Sequence, residues 1–228
     1  MGKNDNGNNG RTELVFVVDR SGSMGGLESD TIGGFNSMLS KQRTIAGECR
    51  VTTLLFDHRI ETLHNHLDIR EVNDLTSRDY WVRGSTALLD AIGLAIDRMI
   101  VTQRHTAAAY RAQHVLFVII TDGYENASRR YLLHQIKQMI TYERERYHWE
   151  FVFLGANIDA EQTAGDFGIS PRCATDFHAD GQGIKASFEA VACAATAVRG
   201  GADLDDLSAP DFLGGVRDDY RSRRRMKR

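Results

Sequence analysis

The stretch LVFVVDRSGSM, residues 14–24, decides how this chain is read. Its first five residues are apolar, as in a short strand covered on both faces of a sheet. Asp19 follows at once, and then Ser21, Gly22 and Ser23. Polar atoms at the mouth of a buried strand are costly unless they are hydrogen-bonded or hold something. The plain reading is an Asx-type turn that caps the next helix. The sharper one is a ligand site, and the rest of the chain decides between them.

Strands and helices alternate outward from this stretch. Residues 33–47 carry Phe35, Met38, Leu39 and Ile45 at helical spacing, with Gly47 as a stop. Residues 51–56 read as a second strand, and only Asp57 and His58 separate it from the alternating run 59–67. So short a link forbids a crossover, which predicts an antiparallel hairpin with 59–67 at a sheet edge. A polar loop over 70–84 leads to a helix with the stripe Leu88, Ala91, Ile92, Ala95, Ile96, Met99 and Ile100, capped by Ser85 or Thr86. Residues 115–120 form another continuous apolar strand, followed by a helix over 128–146, a strand over 151–154 and a short helix ending near Gly168. An alanine-rich helix covers 183–199, and no periodicity is evident after Gly200. The pattern predicts an α/β fold: a doubly wound, mostly parallel sheet with one antiparallel edge strand and helices on both faces.

The 228 residues suffice for one such domain, and 42% apolar with 26% charged residues is ordinary for a globular protein. The net charge of -3 gives no global attraction to nucleic acid or anionic membrane. No apolar run approaches the ~20 residues that span a bilayer. Residues 1–11 lack a secretory h-region and read as a flexible polar lead-in. Position 6 is Asn, so the opening Met-Gly does not support myristoylation. Cys49, Cys173 and Cys193 are odd in number and far apart, as expected of reduced thiols in a cytoplasmic protein.

In open parallel sheets, ligands bind beyond the carboxyl ends of the strands. Asp19 and Asp122 each lie just past an apolar strand, so both are expected at the same edge of the sheet. Thr86, in RGSTALLDAI over 83–92, precedes a helix that packs between those strands and brings a hydroxyl to the same place. With Ser21 and Ser23 the set is two carboxylates and three hydroxyls. These are hard oxygen donors, which suit Mg²⁺, Mn²⁺ or Ca²⁺ over zinc or copper. The two carboxylates balance a divalent charge, and a partner's carboxylate is the natural group to complete the shell. Without the metal the like charges should raise one aspartate pKa. Gly22, Gly25 and Gly26 permit the tight turn that folds the serines back.

DRSGS at 19–23, Thr86 in GSTALLDAIG and TDG at 121–123 resemble the three pieces of a von Willebrand factor type A domain. In that family they form the metal-ion-dependent adhesion site. Matched position by position, Asp19, Ser21, Ser23, Thr86 and Asp122 are the metal-site residues, none of them substituted. The resemblance spans roughly 12–168 and implies a Rossmann-like, Mg²⁺-binding domain that captures a partner carboxylate. It is closest in kind to the compact stand-alone domains of bacteria and their phages. The chain as a whole reads as a lead-in over 1–11, a domain over 12–200 and a tail over 201–228, basic at its end. By analogy the resemblance suggests partners such as AAA+ ATPases, kinases or stress-response assemblies. No membrane partner is expected, and nucleic acid is disfavoured.

Other features carry less. His64 and His66 lie two apart on one face of the edge strand, a metal pair or simply exposed strand residues. Tyr80 and Trp81 either flank the site or tuck under its loop, the second being preferred, and Glu125 and Asn126 either tune it or belong to the surface. A Mg²⁺-dependent phosphohydrolase of the haloacid dehalogenase type is the rival reading. Such enzymes need a second aspartate two residues after the first, where this chain has Ser21, and no matching lysine is evident. No GxxxxGK[ST] motif is present, which excludes a P-loop nucleotidase. The end, RSRRRMKR over 221–228, is either a solvated tail or a salt-sensitive nucleic-acid contact. With no general base among the site residues, a binding role is expected rather than an enzyme.

Overall fold

The computed structural model describes residues 10–226. Six strands form one sheet in the order β3-β2-β1-β4-β5-β6. They are β1 (Thr12–Asp19), β2 (Cys49–Phe56), β3 (Ile60–Asp68), β4 (His114–Thr121), β5 (Glu150–Gly155) and β6 (Ala174–Asp176). β1 pairs in parallel with β2 and β4, β4 with β5, and β5 with β6, whereas β3 runs antiparallel to β2 at the edge. Every residue of β1 is buried, as its apolar run requires of a central strand.

The helices are α1 (Glu28–Arg43), α2 (Leu88–His105), α3 (Leu133–Tyr147), α4 (Ala160–Asp166), α5 (Gly181–Arg199) and α6 (Gly214–Met226). They cover both faces: α1 packs on α5, α5 on α6, and α2 on α3. Phe35 of α1 ties its layer to the sheet, meeting Phe16 at 5.2 Å and Phe188 of α5 at 6.3 Å between ring centroids. No helix of the described residues is long and apolar enough to cross a membrane.

Several boundaries differ from the sequence reading. α1 begins at Glu28, because its first turn is acidic and exposed, favoured by the helix dipole, while the apolar spacing starts only at Phe35. α3 begins at Leu133 instead of Ser128. The intervening backbone is drawn away, since Arg129, Arg130 and Tyr131 donate their N–H groups to the buried Asp90 carboxylate. β6 is too short to leave a pattern. After Gly200, where no periodicity was evident, α6 closes the structure through buried Leu213 and Val216. The Arg217 guanidinium donates to the carbonyls of Pro171, Arg172 and Ala174. Of the lead-in over 1–11, residues 1–9 lie outside the described residues, as do the last two residues of the sequence.

His64 and His66 do not share a face. The β2–β3 register shifts between Val51 and Thr53, and His66 takes a positive φ of 54°. His64 turns inward, with Nδ1 3.0 Å from Thr53 Oγ1 and its ring stacked near Phe35. His66 instead places Nδ1 2.5 Å from the buried Glu13 carboxylate. Cys49 and Cys173 are buried, Cys193 is exposed, and all three are free thiols.

Candidate functional site

The carboxyl ends of β1 and β4 lie side by side, because Val18 pairs with Ile120. The next residues therefore emerge together, which brings the two sequence-distant aspartates to one edge. Asp19 is fully buried. Its Oδ1 accepts from the Ser21 N–H at 2.7 Å and its Oδ2 from the Thr121 hydroxyl at 2.6 Å. Ser21 Oγ lies 3.0 Å from Ser23 Oγ, and the Ser23 hydroxyl donates to Asp122 Oδ1 at 2.5 Å. Asp122 is also buried, and its other oxygen, Oδ2, has no partner. Thr86 completes the group: a Cβ placed on Gly123 would sit 3.2 Å from Ser23 Oγ and 3.4 Å from Thr86 Oγ1. All five predicted residues thus converge, and only Ser23 among them is exposed.

Burial pushes the Asp19 pKa up to about 6, against hydrogen bonds from Thr121 and Ser21, and the neighbouring Asp122 adds a smaller rise. Burial likewise raises Asp122, opposed by Ser23. The sequence reading expected such a rise from like-charge repulsion; desolvation is the larger cause. Among the described residues no group of three or more His, Cys, Asp or Glu side chains forms a metal cluster. The donors here are two carboxylates and hydroxyls.

Gly26 takes the left-handed φ of 88° that the serine turn needs, whereas Gly22 and Gly25 do not. Neither Ser85 nor Thr86 caps α2. Its first N–H groups reach across to the loop after β4, Leu89 N–H to Glu125 Oε2 at 2.9 Å and Asp90 N–H to Ser128 Oγ at 3.0 Å. Asn126 Oδ1 accepts from the Thr86 N–H at 2.8 Å, and Thr86 O accepts from the Asn126 and Ala127 N–H groups. Asn126 therefore holds the Thr86 backbone in place, and Glu125 holds the start of α2. Tyr80 is buried and donates its hydroxyl to Asp19 O at 2.6 Å, while Trp81 is 43% exposed.

Two contributors escaped the sequence reading. Thr121, inside TDG, is the donor that orients Asp19. Arg20, inside DRSGS, is fully buried, with Nε 3.1 Å from Asp57 Oδ2 and Nη2 2.6 Å from Glu61 Oε2. Arg83 joins the same Asp57 oxygen at 2.7 Å and lies 4.3 Å from the centre of the Trp81 ring. Burial pushes the Asp57 carboxyl up, but the Arg83 hydrogen bond, the Arg59 N–H and the two guanidinium charges outweigh it and leave its pKa lowered. Asp57 O also accepts from Ala87 N–H, and Arg20 O from Arg83 N–H. The cluster therefore pins the 80–87 loop, which carries Thr86, against the loop after β1.

No family model matches the chain, and no curated protein matches it. Solved structures do. Proximal thread matrix protein 1 from the mussel byssus, with a zinc-occupied MIDAS motif, aligns at a TM-score of 0.56 and 14% identity over 82% of this chain and 46% of its own. Manganese-loaded Plasmodium vivax TRAP protein aligns at 0.51 and 16%, over 78% of this chain and 72% of its own. A von Willebrand factor type A protein from Catenulispora acidiphila aligns at 0.53 and 10%, over 80% and 42%. The chain thus spans about half the length of the mussel structures it matches. At these identities the likeness is one of fold, and the chain has the fold of von Willebrand factor type A domains.

Proposed function

We propose that the chain is a metal-dependent protein-binding module. Asp19, Ser21, Ser23, Thr86 and Asp122 would hold one divalent cation, Mg²⁺ by preference with Mn²⁺ or Ca²⁺ as substitutes, and a partner's Asp or Glu carboxylate would complete its shell. The observation that carries this reading is Asp122 Oδ2, a buried carboxylate oxygen with no partner beside a cluster of hydroxyls. Such an atom is costly unless something positive takes it up. The donor set fits a hard cation, and the two carboxylates would neutralise it.

When bound, the cation supplies a Lewis-acidic positive charge. The protein's own residues do the rest. Thr121 and the Ser21 N–H fix both oxygens of Asp19, so its carboxylate is oriented in advance. Asn126 and Glu125 anchor the backbone at Thr86 and the start of α2. Ser23, the exposed member, stands at the mouth where a partner arrives.

Affinity capture from native lysate on the immobilised chain tests this. Partners retained in Mg²⁺ should be lost in EDTA and lost on the Asp122→Ala variant, whose circular dichroism stays that of the parent. Identical sets of retained proteins under all conditions contradict the reading. Phosphoester turnover that depends on Asp19 would replace it with a hydrolase.

A further inference from the structure

A groove of about 500 Å³ opens beside the candidate site, between the loop after β4 and helix α4. Its size falls in the range of about 300–1,000 Å³ common to ligand pockets. Leu88, Leu89, Tyr124, Leu133, Ile158 and Phe167 form its apolar walls. It begins at Gly123, the residue whose Cβ would touch both Ser23 Oγ and Thr86 Oγ1. The groove is therefore continuous with the hydroxyls of the site. Two of its apolar residues are well exposed, Tyr124 at 61% and Leu133 at 43%.

The charge lining it is one-sided. Glu125, Asp159 and Asp166 line the groove, and no lysine, arginine or histidine does. Glu125 is already occupied, accepting from the N–H groups of Leu89, Ala127 and Ser128 and from the Ser128 hydroxyl. Asp159 accepts from Gln162 N–H as the cap of α4, and it also borders a neighbouring cleft that holds Arg217, Arg221 and Arg224. Asp166 is exposed, makes no ion pair among the described residues, and lies at the carboxyl end of α4, where the backbone adds negative potential. A partner segment whose only charge was a metal-bound carboxylate would meet repulsion here. One that also carried a cation would not.

We propose that this groove reads the same partner segment that supplies the carboxylate: an aliphatic or aromatic side chain enters it, and a Lys or Arg beyond that side chain meets Asp166. The inference rests on the metal-dependent reading above and names the chemistry of its partner. An acidic residue followed by an apolar and then a basic one would be selected over a merely acidic segment.

The test uses fluorescein-labelled peptides with one Asp, a Leu placed at increasing separations on either side of it, and a Lys beyond the Leu. Binding is read by fluorescence anisotropy in Mg²⁺ and in EDTA, alongside the Mg²⁺-induced thermal shift of the free protein. One separation should bind best, and only in Mg²⁺. Replacing its Leu by Ser should weaken binding about 10–100-fold, the range expected for burying that side chain. Replacing Lys by Glu should cost about 3–5-fold, as for an exposed ion pair. Leu133→Ser in the protein should erase the Leu preference, and Asp166→Lys should reverse the charge preference. Mg²⁺-dependent binding indifferent to Leu and Lys would overturn the groove while leaving the metal site standing. A Mg²⁺ thermal shift with no binding by any peptide would do the same. Binding equal in Mg²⁺ and EDTA, or no thermal shift, would sink both.

Discussion

Asp19 accepts one hydrogen bond on each oxygen, from the Ser21 N–H and from the Thr121 hydroxyl, whereas Asp122 is satisfied on one side only. That difference divides their work: the first is held in place, and the second has an oxygen to give. Next to them Arg20 and Asp57 form a buried ion pair, both fully shielded from solvent. Such a pair contributes little net stability, but removing one partner strands the other charge, at a cost of about 3–5 kcal/mol. Asp57→Ala should therefore lower the unfolding free energy in urea by about that much, because Arg20 keeps the largely exposed Glu61 as its ion-pair partner. It should also weaken Mg²⁺ binding, since the loop carrying Thr86 loses the Arg83–Asp57 ion pair that helps to hold it. A loss under about 0.5 kcal/mol, as for an unremarkable surface site, would show that the cluster does not clamp this loop.

At the scale of elements, what could be read from residue patterns was what repeats or is long. The continuous runs at 14–18 and 115–120 became β1 and β4, and the short link after Phe56 became the β2–β3 hairpin, with three residues, 57–59, in its turn. Convergence of the five site residues followed, because strand ends in a parallel sheet gather their loops. Features set by contacts between distant segments stayed hidden. The start of α3 depends on Asp90, a residue of α2, capturing three backbone N–H groups. The start of α2 depends on Glu125 and Ser128 instead of its own flanking hydroxyls. α6 depends on Arg217 finding three carbonyls around β6. The opposite facing of His64 and His66 follows from a bulge, which alternation alone cannot reveal. Nothing in the sequence marks Arg20, because an arginine beside a serine turn carries no pattern of its own.

At the scale of the whole molecule, the site and the groove occupy the carboxyl edge of the sheet, and a different titrating group lies at the start of β5. Burial raises the Glu150 pKa from its ordinary 4.5 to about 7, helped by the charges of Asp203 and Asp205 and opposed by Leu204 N–H and Arg144. The folded state thus binds this proton more tightly than the unfolded chain does. Its contribution is fully present below about pH 4.5 and is lost as pH rises to about 7. Glu150→Gln should flatten the urea midpoint across that interval and raise it at the alkaline end. An unchanged pH profile would remove Glu150 from the account.

Whether five side chains from three loops act together on one cation is tested most directly by an anomalous difference map from crystals soaked in Mn²⁺. It should show a single strong peak among Asp19, Ser21, Ser23, Thr86 and Asp122, and the peak should vanish in Asp122→Ala crystals. A map with no peak at this edge, or with manganese bound elsewhere and equally in the variant, would contradict such a site.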